Sequence, residues 1–504
     1  MSTTSLSDWL QQHLVRDQGE PTYRQLHRLL RGAILEGRLP AHTRLPSTRL
    51  LATELGIARN TVIEVYAQLA LEGCVSSVQG SGTVVSDVSG ERMLDVAPAT
   101  AQPGANTPDA TLALLSPRGQ DLLRLAGVSN RQWGAFMPGV PDVTAFPART
   151  WTRLHNRYWR KPQPEHLSYA PGGGLPALKE ALAAHLRTAR SVNCEPDQIV
   201  ITTGSHQSID LTLRLLASPG DHVWLEDPCY WGLRSTLASL DAHMVPVPVD
   251  DEGMAWQHLP GLPNPRLILV SPSHQYPLGT VMSLPRRQAL LAQARAHDAW
   301  IIEDDYDSEF RYGNRPLPSL QGLDDSGRVI YVGSFSKMLF PGLRVGYLVV
   351  PRSLSNAFAT GSAALYREGQ SWLQAVLADF IREGHLTSHI RRMRGLYSQR
   401  RQCLLEAIER HFGTRFPVLG DNAGLHLVLR LPDHIDDVQL AEQSLAAGVA
   451  VRPLSRYHAD AQQAPKGLLL GYACVAPEAI GPAFDVLAGV ISASTPAPST
   501  AHHD

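Results

Sequence analysis

The sequence predicts two unlike domains: a small helical head ending in a β-hairpin, and a large α/β body built on a mainly parallel sheet. Three observations carry that reading. Short apolar runs at 198–202, 222–226, 266–270, 300–303 and 329–332 alternate with helical patterns, as strands joined by crossover helices do. The first eighty-odd residues instead carry three helical stripes and one hairpin signal. Between the two regions lies APATAQPGANTPDATLALLSP, rich in Ala, Pro and Thr and without a sustained period, which reads as a linker.

Composition bounds what such a chain does. With 43% hydrophobic and 18% charged residues among 504, it reads as an ordinary globular protein of several domains, not a disordered or collagenous one. Lys+Arg 45 against Asp+Glu 47 gives a net charge of −2, so any nucleic-acid footprint is regional. The five cysteines (Cys74, Cys194, Cys229, Cys403, Cys474) are odd in number and lack C-x-x-C spacing, which predicts a reduced cytoplasmic chain with no metal site and no disulfide framework. No leader-like or membrane-spanning apolar run is present, and no membrane partner is expected.

In the head, residues 22–37 place Leu26, Leu29, Leu30, Ile34 and Leu35 on a helical stripe ended by Gly37. Ser47 then reads as the N-cap of a short helix with Leu50, Leu51 and Leu55 on its apolar face and Gly56 at its end. A third helix over 58–72 turns Val62, Val65, Tyr66, Leu69 and Leu71 inward and leaves Arg59, Asn60 and Thr61 outward at its start. CVSSVQGSGTVV closes the head as a hairpin. This is the outline of a winged helix-turn-helix, whose second motif helix offers its N-terminal side chains to the major groove. From Arg24 to Arg59 seven arginines face only Glu36 and Glu54, which favours DNA over a small protein-interaction module. RLPSTRLLATELGIARNTVIEVYAQLALEG and the wing after it resemble the GntR family of bacterial winged-helix regulators. The resemblance implies operator DNA as partner, contacted by Arg49, Arg59, Asn60, Thr61, Gln79 and Gly80.

The body has few primary amines. Lysine occurs only at 161, 179, 337 and 466, and three of these lie where a solvated side chain is expected. Lys337 differs, sitting in VIYVGSFSKMLFPGLRVGY after a strand-like run, where apolar neighbours favour a Schiff-base nucleophile. Ser334, Ser336 and Arg344 around it make a phosphate cradle, and Thr202-Thr203-Gly204-Ser205-His206 before a helix makes a second. IIEDDYDSEFRY puts acids and Tyr306 at a strand end, the usual place for sites in parallel sheets; a solvated loop is the plain alternative for that run alone. Lysine, paired acid, phosphate cup and stacking aromatic are together what pyridoxal 5′-phosphate (PLP) requires.

Their order resembles the fold-type I aminotransferases over about residues 130–491. That resemblance implies a large α/β domain with a smaller C-terminal α+β part. It implies Lys337 as the lysine that carries PLP, Asp304 at the pyridine nitrogen, Tyr306 at the ring hydroxyl and Tyr230 stacked on the ring. Ser205, His206, Ser334, Ser336 and Arg344 are implied around the phosphate, and Tyr276 in SHQYPLG replaces an asparagine that many aminotransferases use at the ring hydroxyl. A GntR-like head on an aminotransferase-like body is similar to the MocR subfamily of PLP-binding regulators, which implies a head-to-tail homodimer. The expected organisation is a DNA-binding head (1–86), a flexible linker (87–118), the PLP-binding body (119–492) and a disordered tail (493–504).

One departure bears on turnover. The arginine with which aminotransferases grip a substrate carboxylate would fall in KGLLLGYACV, where Leu469 stands. The expectation is a regulator with at most weak residual aminotransferase activity, whose effector is PLP itself or a small amine or amino acid reacting at the cofactor. The alternative is an aminotransferase with an accessory DNA-binding head, in which Arg234, Arg452 or Arg456 compensates for Leu469.

Overall fold

The structure is a computed structural model of the chain and describes residues 3–15, 20–78, 82–87, 112–124, 133–169, 172–313, 318–367 and 370–494. The chain divides into two compact units, Met1–Asn106 and Thr107–Asp504.

The first unit contains helices α1 (Thr3–His13), α2 (Thr22–Leu35), α3 (Thr48–Leu55) and α4 (Arg59–Leu71), then strands β1 (Val75–Val78) and β2 (Gly82–Val85). The Ser47 hydroxyl accepts from the Leu50 N–H at 3.2 Å and starts α3, and Gly56 ends it at φ +61, so the tight turn into α4 rests on one cap and one left-handed residue. Leu26, Leu30, Ile34, Leu51, Leu55, Val62, Val65 and Leu69 form the core, and Leu6 and Leu10 of α1, a helix that sequence reading passed over, close it. Leu35, Leu50 and Leu71, expected on the apolar faces, are exposed. Each lies one or two positions from a core residue, and at 100° per residue that step carries it off the buried stripe. β1 and β2 pair antiparallel, and Arg44 bridges to Val84 to give the wing a third short edge.

The second unit is organised by an eight-stranded sheet of order β3-β10-β9-β8-β7-β4-β5-β6. Its strands are β3 (Ile199–Thr202), β4 (His222–Asp227), β5 (His243–Asp250), β6 (Gly253–Met254), β7 (Leu267–Val270), β8 (Trp300–Asp305), β9 (Val329–Ser334) and β10 (Gly346–Val349). The run from β9 to β5 is parallel, while β10 is antiparallel to both neighbours. All five predicted strands are present. β5 escaped notice because Pro246 and Pro248 interrupt its apolar run. The innermost strands are buried on both faces, which is why they read as continuous apolar segments, and their carboxyl ends converge on one side of the sheet.

A smaller antiparallel sheet follows, of order β11-β12-β14-β13, from β11 (Val418–Leu419), β12 (His426–Arg430), β13 (Arg452–Pro453) and β14 (Gly467–Gly471). The long helix His385–Phe412 and the helix Pro477–Ser494 pack on it through Leu404, Ile408, Phe484 and Leu487. This is the smaller α+β part. Of the stretch read as a linker, residues 88–111 lie outside the described residues; its last two begin the helix Pro117–Arg124, whose Arg118 pairs with Asp241 at 2.6 Å. Residues 495–504 of the expected tail also lie outside them. Among the described residues no helix is long and apolar enough to cross a membrane, and no cluster of His, Cys, Asp and Glu is arranged to hold a metal ion.

Candidate functional site

The carboxyl ends of β3, β4, β8 and β9 open into a cavity of about 1190 Å³. All ten predicted cofactor residues line it: Ser205, His206, Tyr230, Tyr276, Asp304, Tyr306, Ser334, Ser336, Lys337 and Arg344. Sheet topology explains the convergence, since parallel strands deliver the residues that follow them to one edge.

Lys337 lies on the one-turn helix Phe335–Met338 directly after β9, started by Ser334, whose hydroxyl accepts from the Ser336 N–H at 3.1 Å. Its Nζ donates to the Gly139 carbonyl at 2.5 Å. Burial pushes the amine below the usual lysine range, while Asp307 and Asp304 oppose that shift. Asp304 closes β8 with Oδ1 buried and without a hydrogen-bond partner. Burial, with Asp305 and Asp307 nearby, raises its pKa to about 7. Asp305 points the other way, into a buried pair with Arg190 at 2.7 Å, where the Tyr331 hydroxyl also donates to it at 2.6 Å. The two adjacent acids therefore divide their roles by strand alternation.

At the opposite end, Gly204 turns β3 into the helix Ser205–Leu216 at φ +136, a conformation open to glycine, with no side chain capping the helix. β10 runs so close that a Cβ on Gly346 would sit 2.7 Å from the Gly204 Cα. The Arg344 guanidinium lies beside this turn and makes no ion pair among the described residues. Unpaired helix N–H groups, serine hydroxyls and a free guanidinium form a dianion cradle. His206 and Tyr230 meet edge to face, with Nε2 and the hydroxyl 3.1 Å apart. Gly232 permits this, because a Cβ there would lie 2.4 Å from the His206 ring and 2.6 Å from Tyr230. Burial and then Arg344 lower the His206 pKa, which favours the neutral ring.

Tyr276 packs against Tyr230, Tyr306, His426 and Tyr457, its hydroxyl 3.3 Å from that of Tyr457. Sequence reasoning missed Glu226, at the end of β4, whose pKa burial raises to about 8, and Trp231 beside Tyr230. It also missed His274 behind Tyr306. Arg234, Arg452 and Arg456 all reach the cavity. Arg234 is held by the carbonyls of His458 and Arg456, Arg456 faces Glu442 at 3.7 Å, and Arg452 touches the Met137 sulfur at 3.5 Å. Leu469 is fully buried in β14 among Val428, Leu454 and Tyr457 and does not line the cavity.

In the head, Arg49, Arg59 and Asn60 are exposed and Thr61 is half-buried around the α3–α4 turn, with Arg59 Nε 3.5 Å from the Thr48 hydroxyl. Arg28, Arg31 and Arg38 are paired with Glu20, Glu72 and Glu36. Arg24, Arg44, Arg49 and Arg59 make no ion pair among the described residues, so uncompensated positive charge sits at the starts of α2, α3 and α4 and beside the wing. Gln79 and Gly80 lie outside the described residues.

Comparison with known proteins separates the same two parts. Residues 22–85 match the model for bacterial regulatory proteins of the gntR family, and residues 145–485 match that for aminotransferase class I and II. The probable rhizopine catabolism regulatory protein MocR of Rhizobium meliloti is 41% identical over 92% of each chain. The chain belongs to the MocR family of GntR-type transcriptional regulators. The pyridoxine biosynthesis transcriptional regulator PdxR of Corynebacterium glutamicum is 33% identical over 89% of this chain and 91% of its own. Among solved structures, a kynurenine aminotransferase of Pyrococcus horikoshii superposes with TM-score 0.68 and 27% identity, covering 77% of this chain and 97% of that one. This MocR-family regulator therefore joins a DNA-binding head to a fold-type I aminotransferase body, and PLP is the cofactor of such a body. The site fits it: an orphaned buried carboxylate oxygen awaits a protonated ring nitrogen, and an uncapped helix start with an unpaired arginine awaits a phosphate.

Proposed function

We propose that this regulator binds PLP through Lys337 and couples the state of that site to operator binding by its head, with PLP itself or a small amine as the signal. The observation that carries the reading is Lys337 Nζ, in the cavity between the acids of β8 and the Ser–Arg cradle, held by one backbone carbonyl. When bound, PLP supplies an aldehyde that condenses with primary amines. The chain's residues would do the rest. Ser205, His206, Ser334, Ser336 and Arg344 bind the phosphate, Tyr230 covers the ring, and Asp304 holds the ring nitrogen's proton. Tyr306 and Tyr276 face the ring hydroxyl. Burial lowers the lysine pKa and so favours the neutral amine, the form that attacks a carbonyl.

On the DNA side, Arg49, Arg59, Asn60 and Thr61 read or position the duplex, with Gln79 and Gly80 at the wing tip. The working form is a head-to-tail homodimer in the cytoplasm, a proposal that rests on the family pattern and is checked by light scattering. Coupling requires that the filled and empty cavities favour different states of the protein, since a ligand indifferent to both shifts nothing. Leu469 supports regulation over turnover, because the position expected to grip a substrate carboxylate is apolar and walled off.

The test is fluorescence anisotropy with DNA from the protein's own upstream region, at fixed salt, with and without PLP and then with added amines. The expected result is an affinity that changes on filling the site in the wild type and not in Lys337→Ala. DNA binding indifferent to every ligand, together with rapid transamination of an ordinary amino donor, would favour the enzyme alternative.

A further inference from the structure

Behind the cavity wall, His274 is buried with Asp307, their side chains each 1% exposed. Its Nδ1 is 3.0 and 3.1 Å from the two Asp307 carboxylate oxygens and 3.0 Å from the Tyr306 hydroxyl. Its Nε2 is buried without a partner. Two left-handed glycines hold the ring in place: a Cβ on Gly424 would lie 2.2 Å from Cε1, and one on Gly279 would lie 3.1 Å from Nε2. His274 does not itself line the cavity, whereas Tyr306 and Asp307 do.

We propose that the Asp307–His274 pair is a positioning device that fixes the hydrogen-bond direction of Tyr306, making its hydroxyl a donor into the cavity. A carboxylate only accepts, so Nδ1 carries the hydrogen that satisfies Asp307. A nitrogen already bearing a hydrogen does not accept one from Tyr306. The phenol oxygen instead offers a lone pair to the shared Nδ1–H, and its own hydrogen is left to point away from His274, toward the space in front of Asp304 and Lys337. Nε2 is buried with no acceptor among the described residues, so a hydrogen there would be unpaired, whereas one on Nδ1 meets the Asp307 carboxylate. The Nδ1–H tautomer is therefore the one the pocket accommodates. Burial first, and then Asp307, Tyr276, Asp304 and Glu226, oppose ionisation of Tyr306, so the hydroxyl keeps its hydrogen. On the cavity side stands Lys337, whose pKa burial lowers and Asp307 and Asp304 hold up.

This inference rests on the proposal that PLP occupies the cavity with its ring hydroxyl at Tyr306. A fixed donor there stabilises the ionised ring oxygen, and so sets the pH at which the cofactor's visible absorbance changes. In the full-length holoprotein, Tyr306→Phe should raise that pH midpoint by about one unit. His274→Leu combined with Asp307→Asn, which strands no buried charge, should raise it in the same direction. His274→Asn, whose side-chain N–H stands close to the place of Nδ1–H, should restore most of the wild-type value. A double variant that binds PLP and titrates like the wild type while Tyr306→Phe shifts would overturn the proposal.

A second readout needs no cofactor. In protein labelled with 15N-histidine, the resonance lost in His274→Asn should report the Nδ1-protonated tautomer, and an Nε2-protonated ring there would overturn the proposal whatever the cofactor does. A wild type without Lys337-dependent absorbance would instead refute the PLP reading, and the tautomer would then decide this inference alone.

Discussion

Asp304→Asn separates what the apo body tolerates from what the cofactor requires. Burial, with Asp305 and Asp307 nearby, raises the Asp304 carboxyl to about 7. An unfolded aspartate titrates near about 3.9, so the shift is about three units, or about 4 kcal/mol at ~1.36 kcal/mol per unit. The folded protein holds this proton more tightly than the unfolded chain, so the contribution to stability falls as pH rises from about 4 to about 7 and is level above. Asparagine is neutral throughout and escapes the penalty. Apo Asp304→Asn should match the wild type near pH 4 and exceed it progressively to pH 7 and beyond. At a urea dependence of about 3 kcal/mol per molar, the full difference moves the unfolding midpoint by roughly 1 M.

PLP should invert this ranking, because a protonated ring nitrogen against the carboxylate favours the charge that the apo site penalises. The assay is urea unfolding of the full-length variant and wild type from pH 4 to 9, each with and without PLP. Glu303 and Glu309 are also raised, but they titrate in both proteins and cancel in the difference, whereas Glu226, raised by burial and in part by Asp304, is relieved in the variant and adds to its gain. Superimposable apo profiles would refute the burial argument. Wild-type PLP affinity in the variant would remove Asp304 from the ring nitrogen.

Three other outcomes follow from named contacts. Arg59→Ala removes an unpaired cation from the start of α4 and should weaken operator binding about 5- to 100-fold at fixed salt, with the cofactor spectrum unchanged. Arg190→Met strands Asp305 in the core beside the Tyr331 hydroxyl, and urea unfolding should show a loss of about 3–5 kcal/mol. Gly232→Ala places a methyl group where His206 and Tyr230 now meet, and should lower PLP affinity at least about tenfold by equilibrium dialysis while the head still binds DNA.

The legible parts of this protein were those written locally. The predicted strands are short and their central residues are buried, so each stands out as an apolar run between polar turns. The site residues follow strand ends directly, so SFSK and EDDYD announce themselves without any tertiary knowledge. Ser47 and Gly56 did the same for the helix-turn-helix, through cap and turn chemistry. What sequence reading missed is joined across distance. His274 and Asp307 are 33 residues apart and meet only because β7 and β8 are adjacent and parallel. Trp231 and Glu226 sit beside residues already chosen, yet nothing in EDPCYWG distinguishes a cavity-facing acid from a solvated one. Arg452 was named only as a candidate to compensate for Leu469; it reaches the cavity because β13 pairs with β14 opposite Leu469, a register no local pattern encodes.

The charges of the cavity are sorted by end. Asp304 and Glu226, both raised toward neutrality, lie at the carboxyl ends of β8 and β4, while Arg344 and the uncapped start of helix Ser205–Leu216 lie across from them. Neither end is satisfied by the protein itself: one leaves a carboxylate oxygen orphaned and the other leaves a guanidinium without an anion. A small ligand that is cationic at one edge and dianionic at the other relieves both together. Removing either end therefore orphans part of the ligand as well as part of the site, and the losses from an Asp304 and an Arg344 substitution should not add. The same sorting explains how one cavity accommodates buried acids and a buried lysine at once. Asp304 and Asp307 hold the amine up while burial pushes it down, which leaves Lys337 between a solvated cation and a free nucleophile.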